Sequence, residues 1–186
     1  MSTQDVLKTL KDENIAYVDI RFTDIRGKLQ HVTVDVDLVD EDFLEEGFMF
    51  DGSSIAGWKS IENSDMKLIV DTDSAYIDPF YAEKTLCVHC SIVEPDTGEA
   101  YERDPRGTAQ KAEAYLKESG IGDVAYMGPE AEFFIFDDVR FENKINKVSY
   151  EVDAVDASWN TDTEYEMGNS GHRPGLKGGY FPVNPI

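Results

Sequence analysis

The sequence predicts an α+β fold, and three observations carry that expectation. Through roughly the first hundred residues, apolar and polar side chains alternate in several short runs, the period of strands half buried in a sheet. Only one or two stretches there carry helical spacing. A longer helical stretch then opens at Asp104-Pro105, where Asp suits a cap and Pro the first helical position. The chain has 186 residues, 41% of them hydrophobic, with 10 Phe and 9 Tyr, which is enough to bury a sizeable core.

Ser2 or Thr3 suits the cap of a first helix with Val6, Leu7 and Leu10 on one face, ended by Asn14. The run 15–23 alternates, with Tyr17, Asp19 and Arg21 on one face and Val18, Ile20 and Phe22 on the other. A turn is expected at 24–27 and a returning strand at 29–36. A short acidic helix is expected at 37–46, stopped by Gly47, and 48–58 reads as a loop rich in Gly and Ser. Further strands are expected at 66–71, 75–77 and 85–93, with a turn at 94–98. Beyond Asp104, Ala109, Ala112, Tyr115 and Leu116 recur at helical spacing until Gly120. The runs 124–127 and 130–137 read as strands on either side of Gly128-Pro129, and 140–179 as long loops of the kind that wall an active site. The organisation expected is one small domain over 1–103 and a second, incomplete one over 104–186.

Lys and Arg number 17 against 38 Asp and Glu, a formal net charge of −21. Such a surface repels phosphate backbones and anionic lipid headgroups, so no nucleic-acid or membrane partner is expected. The charge is dispersed, as on an ordinary solvated surface. No apolar run reaches the roughly 18 residues of a membrane span, and the amino terminus lacks the basic and apolar regions of a secretory signal. A cytoplasmic protein is expected. Cys87 and Cys90 form a C-x-x-C pair, a spacing shared by zinc and redox sites. They fall in a strand-like run, where positions three apart face opposite sides, so buried reduced thiols are expected.

Three segments carry candidate chemistry. In Gly-Pro-Glu-Ala-Glu-Phe-Phe-Ile-Phe-Asp at 128–137, a strand would set Glu130 and Glu132 side by side on one face. Two adjacent carboxylates repel each other unless a cation sits between them, and oxygen-only donors suit Mg²⁺ or Mn²⁺. A solvated edge strand with two exposed glutamates fits the same spacing. In Asp-Gly-Ser-Ser-Ile-Ala-Gly-Trp at 51–58, small residues flank Asp51 and let a ligand approach its backbone and side chain. Ser53 and Ser54 lie beside it, and Trp58, costly to leave in water, suggests a docking loop. A surface turn closed by Asx and Ser hydrogen bonds fits equally. The Gly-rich segment 169–183, with His172, Arg173 and Lys177, suits an anion clamp or a flexible loop.

Taken in this order, the three segments resemble the amino-terminal part of type I glutamine synthetase. The resemblance also includes Ser-Asp-Met at 64–66, the run 104–116 and Trp159-Asn160, and it covers the chain from about Tyr17 onward. It implies that 1–103 is the family's small β-grasp domain and that 104–186 begins its larger α+β catalytic domain. It also implies ATP-dependent ligation of ammonia to L-glutamate through γ-glutamyl phosphate, giving L-glutamine. Glu130 and Glu132 would bind two divalent metals, Mg²⁺ or Mn²⁺, and Asp51 would bind and deprotonate ammonium. Asp51 would do so in the active site of a neighbouring subunit, with Ser53, Ser54 and Trp58 in the same subunit-crossing loop. Tyr180 would lie in a substrate-side loop, and the subunits would form double hexameric rings. The family's other metal ligands, its ATP segment and its glutamate-binding arginines would lie beyond Ile186, so these 186 residues alone are expected to be inactive. Asn63 stands where many members carry Glu. Two other readings are a non-catalytic β-grasp interaction module and a related ligase that joins glutamate to another amine.

Overall fold

The computed structural model describes residues 1–154. The expectations for Tyr180 and for the Gly-rich segment 169–183 lie outside the described residues. Residues 1–126 form one compact unit, and those from 127 onward belong to a second.

Helix α1 spans Thr3–Asp12. Ser2 caps it: its hydroxyl accepts from Asp5 N at 3.2 Å, and its own amide donates to the Asp5 carboxylate at 2.9 Å, a reciprocal capping box. Val6 and Leu10 bury its apolar face. The chain reverses at Asn14, whose φ of 51° is one the short Asn side chain tolerates. Strands β1 (Tyr17–Thr23) and β2 (Leu29–Asp35) then pair antiparallel around a turn stitched by Asp24, which accepts from the Arg26 and Lys28 amides at 2.8 and 3.0 Å.

The acidic helix expected at 37–46 is divided. A single 3₁₀ turn covers Val36–Leu38, and helix α2 runs only over Glu41–Glu46. The cause is local. Asp35 caps the first piece through Asp37 N and Asp40 the second through Phe43 N, so each Asp side chain offers a fresh start that competes with one continuous helix. Gly47 ends α2 at φ 88°, and a Cβ there would strike the Leu68 carbonyl, so both conformation and space call for glycine.

The stretch expected as a loop at 48–58 begins instead as a strand. β3 (Phe48–Asp51) pairs antiparallel with β4 (Asp65–Val70), because Phe48 and Phe50 alternate with Met49 and Asp51 between a half-buried and an exposed side. Strands β5 (Tyr76–Asp78) and β6 (Thr85–Val93) complete a six-stranded sheet ordered β2-β1-β6-β4-β3, with β5 also on β6. Only the β1–β6 pairing is parallel; the rest of this sheet is antiparallel.

One side of this sheet holds the core: Val18, Ile20 and Phe22 from β1, Met66, Leu68 and Val70 from β4, and Leu86, Val88, Cys90 and Ile92 from β6, closed by Val6 and Leu10 of α1. Each such side chain contributes about 1.5–3 kcal/mol on burial. Cys87 and Cys90 are free, buried and on opposite faces of β6: Cys90 belongs to the core, whereas Cys87 lies beside Asp19 and Asp78. Burial pushes the Cys87 thiol up to about 11 and the Cys90 thiol up to about 12, so neither is a nucleophile at neutral pH.

Helix α3 spans Pro105–Ser119, with Asp104 as cap, Pro in its first turn and Gly120 in the left-handed conformation at its end. Among the described residues the face carrying Ala109, Ala112 and Tyr115 is uncovered.

In the second unit, two expectations fail. The run 130–137 is not a strand, and neither is 124–127, which crosses from the first unit into the second; over 124–135 no ladder partner lies among the described residues. The alternation of 130–137 is that of a strand, but a strand exists only with its neighbour; Phe133, Phe134 and Ile135 stand 79–80% exposed. Conversely, the region expected as loops from 140 opens with a hairpin, β7 (Asp138–Lys144) and β8 (Lys147–Asp153), joined by Ile145-Asn146. Its signal lay in Val139/Phe141 and Val148/Tyr150/Val152, two alternating runs about a two-residue turn. Charged residues between them masked it; the backbone ladder runs from Asp138 opposite Asp153 to Lys144 opposite Lys147, with Arg140 meeting Asp153 at 2.8 Å across the strands and Glu142 meeting Lys144 on its own strand and Lys147 on the other.

Candidate functional site

Asp51 ends β3, opposite Asp65 in the β3–β4 register. Its Oδ1 accepts from Ser53 N at 2.8 Å and from Ser53 Oγ at 2.6 Å, and Ser54 Oγ approaches Oδ2 at 3.5 Å. The 3₁₀ turn Gly52–Ser54 follows directly. Gly52 is needed there because a Cβ would strike the Met66 side chain. The structure therefore brings Asp51, Ser53 and Ser54 together in one exposed Asx turn. The Ser53 hydroxyl, then its amide, holds the Asp51 carboxyl below its ordinary value, so it is anionic throughout the neutral range. The second carboxylate at Asp65 adds to the negative potential of this sheet end.

Trp58 departs from expectation. It is 5% exposed rather than a docking side chain in water. Its ring lies 5.5 Å from Phe22, 6.2 Å from Phe50 and 5.5 Å from Tyr101, centroid to centroid. Gly57, at φ 84°, turns the chain inward just before it. The small residues that made the segment look mobile are those that let it fold back and bury its Trp. Among the described residues the Trp58 Nε1 donor is buried without an acceptor, a cost of about 1–3 kcal/mol.

Glu130 and Glu132 lie in the second unit, on an exposed segment without regular structure. Among the described residues neither takes an ion pair. Phe134 and Phe136 stack with centroids 6.2 Å apart and planes 13° from parallel, so alternate side chains share a side just beyond the two glutamates. Two uncommitted carboxylates one residue apart are oxygen donors that fit a hard divalent cation. Among the described residues no group of three or more His, Cys, Asp or Glu side chains converges on one point.

A polar cluster around the buried Asp19 escaped the sequence reading. Thr33, Asp19, Cys87 and Tyr76 are successive cross-strand partners over β2, β1, β6 and β5, on the face away from the core. Asp19 accepts from Thr33 Oγ1 at 2.6 Å and Arg21 Nε at 2.7 Å, and meets His31 Nδ1 at 2.6 Å. Arg21 also reaches Asp78 Oδ2 at 3.0 Å and the Tyr76 hydroxyl. The alternation placed Asp19 and Arg21 together. What it could not foretell is that β5 would cover them.

With this geometry in place, comparison with known proteins decides the family. The β-grasp domain model of glutamine synthetase matches residues 14–95, and the catalytic domain model matches 102–186. The chain belongs to the glutamine synthetase family. The glutamine synthetase of Cereibacter sphaeroides is 77% identical over 182 residues, which is 98% of this chain and 39% of that protein. The glutamine synthetase of Rhodobacter capsulatus is 71% identical over 185 residues, 100% of this chain and 42% of that protein. The chain thus spans about two fifths of the length of these relatives. The cryo-EM structure of Plasmodium falciparum glutamine synthetase superposes with a TM-score of 0.68 at 23% identity, covering 100% of this chain and 37% of that one, a likeness of fold. The mixed α+β architecture and the β-grasp identity of the family's first domain are consistent with the six-stranded sheet packed by α1.

Proposed function

We propose that this chain is the amino-terminal part of a ligase that joins ammonia to L-glutamate at the expense of ATP, through γ-glutamyl phosphate, to give L-glutamine. The observation that carries the proposal is the ordered match of both family domains along one chain whose curated relatives are named glutamine synthetase. In this reading residues 1–103 are the β-grasp domain and 104–186 the start of the catalytic domain.

Asp51 holds ammonium and takes one of its protons, which frees the nitrogen lone pair for attack. Its lowered pKa and the nearby Asp65 supply fixed negative charge, and Ser53 and Ser54 keep its carboxylate in one orientation. Orientation of this kind lowers the entropic barrier to attack by the ammonia nitrogen. Glu130 and Glu132 hold Mg²⁺ or Mn²⁺, which when bound neutralises charge on the transferring phosphoryl group. Tyr180 belongs to the loop on the glutamate side. The enzyme works in the cytoplasm as a homo-oligomer of double hexameric rings, with the Asp51 loop serving a neighbouring chain's site. Among the described residues no helix is long and apolar enough to cross a membrane.

Substituting Glu130→Gln or Glu132→Gln in the full-length enzyme removes one anionic donor with little change in shape. Biosynthetic rate at limiting Mg²⁺ is expected to fall about tenfold or more for each. Two variants with wild-type rates across a Mg²⁺ titration would refute the metal assignment.

A further inference from the structure

The turn that carries Asp51 is tied at its far end to the segment leading into α3. Gly52 N donates to Ser64 O at 2.7 Å, Ile55 N to Gly52 O at 3.2 Å and Trp58 N to Ile55 O at 3.1 Å. The Gly57 and Trp58 carbonyls at its end are taken by side chains. Tyr101 Oη donates to Trp58 O at 2.9 Å within the core, and Arg103 Nη1 donates to Gly57 O.

Tyr101 is itself fixed. Its amide donates to Ile92 O at 2.8 Å, and its carbonyl accepts from Asp104 N at 3.1 Å. Asp104, the buried cap of α3, accepts in turn from Ile92 N at 3.1 Å. The Tyr101 ring meets Trp58 edge-on, with planes at 61°, and the Lys59 ammonium lies 5.4 Å from its centroid while paired to Glu94 at 2.7 Å. Burial raises the phenol above its ordinary pKa, so it remains a donor.

Phe would satisfy the packing at this position as well as Tyr does. Among the described residues the hydroxyl has one partner, the carbonyl that closes the 51–58 segment, and Arg103 repeats the interaction one residue earlier. We infer that Tyr101 and Arg103 are positioning residues for Asp51: by holding the Gly57 and Trp58 carbonyls they fix the turn that presents its carboxylate, and so set the affinity for ammonium. This rests on the assignment of Asp51 to ammonium made above. The route is short. Asp51 is oriented by Ser53, the turn closes from Gly52 to Ile55 to Trp58, and Tyr101 anchors Trp58 to the end of β6 and the start of α3. Releasing that anchor leaves a segment of several glycines and serines to widen its range of conformations.

The test measures KM for ammonium, glutamate and ATP in full-length Tyr101→Phe, Arg103→Ala, Arg103→Lys and Asp51→Ala enzymes, and in the Asp51→Ala, Tyr101→Phe double variant. Loss of one net hydrogen bond corresponds to about a fivefold rise in ammonium KM for Tyr101→Phe. The KM values for glutamate and ATP are expected to stay within about twofold. Arg103→Ala is expected to shift ammonium KM in the same direction, with Arg103→Lys partly restoring it. In the Asp51→Ala background, Tyr101→Phe is expected to add nothing, since two residues acting through one interaction are not additive. If Asp51→Ala raises ammonium KM and Tyr101→Phe does not, the positioning role is overturned and the Asp51 assignment stands. If Tyr101→Phe raises all three KM values alike, the hydroxyl supports the fold at large and the positioning role is likewise overturned. If Asp51→Ala itself leaves ammonium KM unchanged, the Asp51 assignment falls and takes the positioning role with it.

Discussion

Asp19 is 1% exposed, and it remains a carboxylate because three neighbours reach it. Burial works against its charge, but the hydrogen bonds from Thr33, Arg21 and His31 outweigh burial and hold its pKa below the ordinary value. The sign of the consequence follows. A folded-state pKa below the unfolded value of about 3.9 stabilises the protein fully above that value and ceases to do so as pH falls through the folded value. Asp19→Asn is therefore expected to lower the unfolding free energy at pH 7 by on the order of 3 kcal/mol, as when one partner of a buried pair is removed. The gap between wild type and variant should narrow below about pH 4. Urea denaturation at pH 7 and at acid pH measures both; equal stability at pH 7 would show that Asp19 contributes nothing. Residues of this kind were only half legible. Alternation put Asp19 and Arg21 on one face, but burial of that face depends on β5, many residues later. Trp58 was misread for a related reason. Gly and Ser around a Trp look like a mobile loop, yet Gly57 with its positive φ is what lets the ring turn back onto Phe22 and Phe50.

Strand β6 is the element on which the first unit is built, since it pairs with β1, β4 and β5. Its sequence announced it: Thr85–Val93 is rich in β-branched residues and is buried along most of its length, as a central strand should be. The segment 130–137 announces itself as strongly, through Ala131, Phe133 and Ile135 alternating with Glu132, Phe134 and Phe136, yet it forms no ladder among the described residues. The difference is not in local pattern but in the presence of a neighbour. Hydrogen exchange of the 186-residue chain should therefore rank the two elements far apart. Amides of Thr85–Val93 are expected among the slowest, near the global unfolding limit, and those of 130–135 among the fastest. Comparable protection of the two would mean that 130–135 is paired in solution.

At the scale of the whole molecule, the chain combines a net charge of −21 with two structural units, and it spans about two fifths of its curated relatives. Charge and composition argued against nucleic-acid and membrane partners but did not point to a reaction. Spacing placed two carboxylates together at Glu130 and Glu132 and small residues around Asp51, and each pattern had an ordinary structural explanation of comparable weight. What made the family legible was the run of specific strings, Asp-Gly-Ser-Ser at 51–54 and Gly-Pro-Glu-Ala-Glu-Phe-Phe at 128–134 above all, and both family domains match along the chain. The site itself was legible as residue types but not as geometry, because the turn at Asp51 is closed by Trp58, Tyr101 and Arg103, and only the last two lie far along the chain. The central claim is the reaction. Its most direct measurement supplies the full-length enzyme with isotope-labelled ammonium, glutamate, ATP and Mg²⁺, with methylamine as a competing amine. The account predicts label in the amide of glutamine, one phosphate released for each amide formed, and little methylamide. Ligation of methylamine in preference to ammonium by the wild-type enzyme, or ATP turnover without labelled glutamine, would contradict it.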